Sequence, residues 1–145
     1  QGILDAGRPD TSYTDKEVAA GNQYFYKVMP YRILNGDYLS GDASEPVMAV
    51  PKLSRPSALK CKSVSAKSQK LTWKKDGQAA GYEIYCSRKK GSGYKKIAAT
   101  KKTSYTNKKL PAKTMYYKIR SYRLADGEKM YSPWSAIVKG KAKKK

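Results

Sequence analysis

The sequence predicts an all-β chain built as an antiparallel sandwich, and three observations carry that expectation. No window sustains an apolar period of about 3.6 residues, so essentially no helix is expected. Short alternating segments recur between turn residues, the signature of a half-buried strand. The chain also repeats itself. Thr11-Ser12-Tyr13-Thr14 returns as Thr103-Ser104-Tyr105-Thr106, Phe25-Tyr26-Lys27-Val28 as Tyr116-Tyr117-Lys118-Ile119, Tyr31-Arg32 as Tyr122-Arg123, and Asn35-Gly36 as Asp126-Gly127. From Phe25 onward the offset is 91 positions; from Thr11 to Thr14 it is 92, so one residue is lost before the central strand of the second copy. A period of this size is that of a whole small domain, beyond any solenoid unit.

Taken in order, the first copy supplies strands around Ser12–Lys16, Gln23–Arg32 and Pro46–Val50, the last three of a sandwich. In the second copy Leu59 and Cys61 alternate with lysines, and Leu71-Thr72-Trp73 precedes an Asp76-Gly77 turn. Tyr82, Ile84 and Cys86 then alternate with Glu83, Tyr85 and Ser87. Gly91-Ser92-Gly93 turns the chain into Tyr94–Ile97. Met115, Tyr117, Ile119 and Ser121 alternate with Tyr116, Lys118, Arg120 and Tyr122. Asp126-Gly127, like Asn35-Gly36, is a strong two-residue hairpin signal. The last strand is expected at about Ser135 to Gly140, making about seven strands.

The first copy starts just before its own Thr-Ser-Tyr-Thr segment. Residues 1–52 therefore read as the C-terminal half of one unit, 53–142 as a complete unit and 143–145 as a basic tail, with a hinge near Leu53–Pro56. On this reading the chain is a fragment of a longer protein. The inward faces of Tyr13, Tyr24, Tyr26 and Val28 then await an opposing sheet, from the remainder of the parent polypeptide or from self-association of two copies.

These segments resemble the fibronectin type III domain. Leu71-Thr72-Trp73 matches its second strand and Gly81-Tyr82-Glu83-Ile84-Tyr85 its third. Thr103-Ser104-Tyr105-Thr106, Leu110, Tyr117-Lys118-Ile119 and Tyr131-Ser132 follow in the family's order. The resemblance implies an immunoglobulin-like antiparallel β-sandwich, one complete domain preceded by the second half of another. The lysine-rich wording is similar to tandem copies at the ends of secreted proteins of Gram-positive bacteria. In the family a tyrosine at the start of the sixth strand bonds back to the preceding corner. Tyr24 suits that place in the first copy, whereas the second copy has Met115 there, which has no hydroxyl to donate.

Composition narrows the chemistry. The chain has no histidine, which removes the commonest general base and the usual zinc ligand. Two cysteines without CxxC spacing make no metal site by themselves, and no cofactor is expected. No run approaches the roughly eighteen apolar residues of a membrane helix, so no membrane insertion is expected. The net charge of +20 is uneven: residues 1–55 hold six Lys+Arg against seven Asp+Glu, and residues 56–145 hold twenty-five against four. Only Arg88, Arg120 and Arg123 of those twenty-five are arginine. Lysine suits diffuse attraction to a polyanion, whereas bidentate phosphate or base reading favours arginine. Nucleic acid is disfavoured because the resemblance points to a secreted parent, and anionic cell-wall polymer or glycan is the expected polyanion. The bland alternative is that the lysines keep a Tyr-rich domain soluble.

If Tyr117 and Ile119 face the core, Tyr116, Lys118, Arg120 and Tyr122 face out on the same strand. Tyr85, Lys139 and Lys141 share that outer face, and the seven residues form a candidate polyanion or carbohydrate face. Its plainer reading is cross-strand packing of cationic stems over rings. Cys61 and Cys86 both alternate inward, either as a disulfide or as two buried thiols. Asp37, Asp42 and Glu45 match no calcium-loop spacing, and no convergent carboxylate pair remains for acid–base work. The function expected is a non-catalytic, extracellular accessory or spacer module of a larger surface or secreted protein. The alternatives are a wall-polymer or carbohydrate binder and an accessory part of a secreted hydrolase or peptidase whose catalytic domain lies upstream.

Overall fold

The computed structural model describes residues 11–111 and 113–141; the expected tail at 143–145 lies outside them. Twelve strands and no helix occur among the described residues. The first four are β1 (Tyr24–Tyr26), β2 (Tyr31–Leu34), β3 (Asp37–Ser40) and β4 (Val47–Ala49). Then follow β5 (Lys60–Ser65), β6 (Ser68–Thr72), β7 (Gly81–Ser87), β8 (Lys95–Thr100) and β9 (Ser104–Asn107). The last are β10 (Met115–Ala125), β11 (Glu128–Tyr131) and β12 (Val138–Gly140).

Strands β5 to β12 form the two layers of a sandwich. One sheet runs β5-β6-β9; the other runs β11-β10-β7-β8, with β12 also on β10. Every pairing is antiparallel. Leu71 and Trp73 from the first layer meet Tyr82, Ile84, Cys86, Met115, Tyr117 and Ile119 from the second, and Leu110 completes the core. The alternation read from the sequence holds along β10, where Met115, Tyr117, Ile119 and Ser121 are buried and their neighbours are half-buried. Across the core the Tyr117 hydroxyl donates to Gln69 Oε1 at 2.7 Å and accepts from Asn107 Nδ2 at 3.2 Å, so its polar tip is satisfied inside the sandwich. Cys61 and Cys86 are free. Burial pushes the Cys61 thiol up to about 11 and raises that of Cys86, so both stay protonated.

The hairpin turns follow their sequence signal in both copies. Asn35 and Gly36 have φ of 54° and 90°, Asp126 and Gly127 of 50° and 82°. Two successive positive φ values give the twist that a tight hairpin needs.

The same repeat exposes two departures. Ser12–Lys16 is not a strand, although its counterpart Ser104–Asn107 is. That counterpart pairs with β6, and no equivalent of β6 precedes the first copy among the described residues, so a strand-forming sequence has no ladder to join. Gln23–Arg32 is broken into β1 and β2 with Lys27–Pro30 between them, where β10 runs unbroken. Pro30 stands where β10 has Ser121, and proline offers no N–H to a ladder. The expected hinge is also packed: Leu53 and Pro56 are buried. Beside it Gln78 grips residues 18–20, its Oε1 accepting from the Ala20 N–H at 2.6 Å and its Nε2 donating to the Val18 carbonyl at 3.1 Å. Tyr24 accepts from the Ala19 N–H at 2.8 Å, five residues back, while Met115 packs into the core instead.

Candidate functional site

The outer face of the β7–β10 sheet is organised by a break in its last strand. Between β11 and β12 the ladder to β10 is taken over by two serines. Ser132 Oγ accepts from the Ser121 N–H at 2.9 Å and Ser135 Oγ from the Ile119 N–H at 3.0 Å. Their own N–H groups donate back to the Ser121 and Ile119 carbonyls at 3.0 and 2.9 Å. With the backbone of β10 thus satisfied, Pro133 and Trp134 are released from pairing, and the indole lies on the outer face among side chains of β7 and β10.

Glu83 is the centre of that face. It sits on β7 opposite Arg120, and its side chain is only 1% exposed. Lys96 Nζ reaches Oε1 at 2.7 Å, Arg120 donates to Oε2 from Nη2 at 2.9 Å and Nε at 3.1 Å, and Lys129 Nζ stands 3.4 Å from Oε1. The hydroxyls of Tyr131 and Tyr85 donate to the same carboxylate at 3.4 Å. Burial works to raise the carboxyl's pKa, but the bonds and charges of Lys96 and Arg120 outweigh it and hold the group at about 2. The bond to Glu83 in turn raises Lys96.

Around this ion cluster the rings and cations interleave. The Arg120 guanidinium lies 3.6 Å from the Tyr131 ring centroid, 4.9 Å from Trp134 and 5.5 Å from Tyr85. Lys118 Nζ lies 4.1 Å from Trp134 and 4.5 Å from Tyr94, and Lys129 Nζ 4.3 Å from Tyr122. Tyr85 and Trp134 meet edge to face at 4.8 Å. Such contacts are each worth about 0.5–2 kcal/mol according to their exposure.

Of the residues expected on this face, Tyr85, Lys118, Arg120 and Tyr122 join the layer. Tyr116 and Lys139 face each other across the β10–β12 pair, further along the sheet. Lys141 follows β12, and its carbonyl accepts from the Ser63 hydroxyl on the other sheet. Sequence reasoning missed Trp134, Tyr131, Tyr94, Lys96 and Lys129 as members. It set Glu83 outward but not as the buried counter-charge. The signals were present: Glu83 shares the parity of Tyr85, and Ser132 and Ser135 bracket Trp134. The arrangement can attract anions through the partly exposed Lys96 and Lys129. Its one carboxylate is saturated by donors. Among the described residues no group of three or more Cys, Asp or Glu side chains could hold a metal ion.

No family model matches the chain, and no curated protein matches it. Solved structures do. A Fn3-like protein from Clostridium thermocellum is 25% identical, over 58% of this chain and 86% of its own, at a TM-score of 0.50. A human fibronectin type III domain derived from KIAA0970 is 19% identical over 61% of this chain and 73% of its own, at 0.51. The FN1–FN3 domains of chicken CNTN1 align with 91% of this chain and 46% of their own at 16% identity and a TM-score of 0.53. The chain therefore has the immunoglobulin-like antiparallel β-sandwich fold of fibronectin type III domains.

Proposed function

We propose that the chain is a non-catalytic accessory module of a larger extracellular polypeptide, a secreted or cell-wall-associated bacterial protein whose other parts it spaces or presents. Residues 53–142 act as one complete module and residues 1–52 as the second half of another. One observation carries the reading. Glu83, the buried acid of the face, is held ionised by two cations in direct contact and a third nearby, so it has no proton to give and no free lone pair aimed at a substrate. A face whose charges are spent on one another stabilises a sheet rather than performing a reaction.

A second reading is favoured by the surplus of cations. Lys96, Arg120 and Lys129 gather about a single acid, with Lys118 over the adjoining Trp134, in a half of the chain with twenty-five bases. Such a surface suits an anionic wall polymer or glycan met without sequence reading. One experiment addresses both. In the polypeptide that carries this chain, deleting residues 53–141 leaves turnover of a soluble substrate unchanged; its loss overturns the accessory reading. The chain itself is then bound to purified walls with and without teichoic acid. Retention that needs the polymer and disappears by about 0.5 M salt, where the screening length is only about 4 Å, supports the second reading. Equal retention on stripped walls overturns it.

A further inference from the structure

The two sheets of the β5–β12 sandwich treat their cations differently. On the β7–β10 face the ion pairs converge on Glu83, and among the described residues none lies elsewhere. The outer face of the β5-β6-β9 sheet has no such acid. Cys61, Leu71 and Tyr105 stand opposite one another across the three strands and pack toward the core, so Lys60, Lys62, Lys70, Thr72, Ser104 and Thr106 point out. No Asp or Glu occurs between Glu45 and Asp76 or between Glu83 and Asp126, and these two stretches contain all three strands.

Lys62 lies directly opposite Lys70, and Lys60 opposite Thr72. The two rows continue onto Thr106 and Ser104 of β9. Like charges placed opposite each other cost stability, so sheet packing does not explain the Lys62–Lys70 pair. Lysine on an edge strand guards against pairing with another sheet, which accounts for Lys60 and Lys62 on β5. Lys70 is on the central strand, where no edge needs guarding.

The ladder sets the spacing of these charges. Side chains two residues apart on a strand leave the sheet about 7 Å apart, and neighbours across strands about 4.8 Å apart. Both distances lie inside a screening length of about 8 Å, so the three ammonium groups act together on one ligand. The hydroxyls of Thr72, Ser104 and Thr106 add neutral donors beside them. The face carries no ring: Tyr105 is the one aromatic residue of the three strands, and it packs against the core. Single-stranded nucleic acid binds by stacking bases on exposed rings as well as by charge, and finds only the charge here. The geometry points to the outer face of β5-β6-β9 as a docking surface for a flexible polyol-phosphate chain, a linear polymer with one phosphodiester per short unit and no bases. The inference rests on the second reading above for the class of polymer, and assigns that polymer to the sheet opposite the Glu83 face.

The test is binding of the whole chain to poly(glycerol phosphate) over a range of salt. Lys62→Gln/Lys70→Gln is expected to weaken binding at least about tenfold. It is also expected to lower the slope of log K against log salt by about 1.4, two contacts at about 0.7 each. Its melting midpoint is expected not to fall, because the opposed charges are gone. Lys89→Gln/Lys90→Gln, which removes two exposed charges between β7 and β8, is expected to bind like the original chain. Equal weakening by the two pairs means diffuse attraction and overturns the proposal. Weakening by Lys118→Gln/Lys129→Gln in place of the Lys62 and Lys70 pair also overturns it, and leaves the second reading standing on the Glu83 face. An original chain that does not bind the polymer overturns both. A single-stranded oligodeoxynucleotide of equal charge is expected to bind no more tightly than the polymer; tighter binding assigns the face to nucleic acid and overturns the proposal.

Discussion

Replacing Trp73 with alanine is expected to destabilise the β5–β12 sandwich by about 3–5 kcal/mol, comparable to the whole stability of a small domain. The indole is 6% exposed and meets Tyr82 edge to face at 5.4 Å, at the meeting of the two layers. Truncation removes the largest apolar side chain of the core and leaves a cavity that rigid strands on either side cannot collapse. Chemical denaturation monitored by far-ultraviolet circular dichroism reads the loss. A midpoint that barely moves contradicts the register placing Leu71, Trp73, Ile84 and Ile119 in one core.

Glu83→Gln is expected to cost about 3 kcal/mol at neutral pH, because it leaves Arg120, Lys96 and Lys129 crowded around an uncharged amide. The sign of its pH dependence follows from a carboxyl held at about 2 in the fold against an ordinary value of 4.5. A depressed carboxyl stabilises the fold above its unfolded value, and that contribution is lost as pH falls through the folded one. The stability gap between the wild type and Glu83→Gln should therefore be full above about pH 5 and close toward pH 2. A gap that is constant over that range contradicts the ion cluster as the source of the shift.

Much of the fold was legible because local chemistry and tertiary environment agree. Asn35-Gly36 and Asp126-Gly127 adopt positive φ, and the alternation of Met115, Tyr117, Ile119 and Ser121 faces one core. The failures have separate causes. Ser12–Lys16 carries the wording of a strand, but a strand exists only through a partner, and no strand among the described residues pairs with it. Pro30 interrupts a stretch whose second-copy counterpart is continuous, a single residue overriding an otherwise faithful repeat. The face was half legible for a similar reason. Parity along β7 and β10 places Tyr85, Lys118, Arg120 and Tyr122 on one side, whereas Trp134 arrives from the segment between β11 and β12, Lys96 from β8 and Tyr94 from the position just before β8. Glu83 alternates outward as parity requires, yet it is buried by what covers it rather than by the direction it points.

One sequence template is expected to be stable where an opposing sheet covers it and weak where none does. The Val28 and Ile119 amides make this difference measurable, since each donates to the equivalent serine hydroxyl in its own copy. Hydrogen exchange on the chain should find Ile119 protected at the level of global unfolding and Val28 exchanging at least about a hundredfold faster, a difference of about 2.7 kcal/mol. Equal protection of the two amides would show instead that the hydrogen-bond template alone, without the second layer, confers the stability.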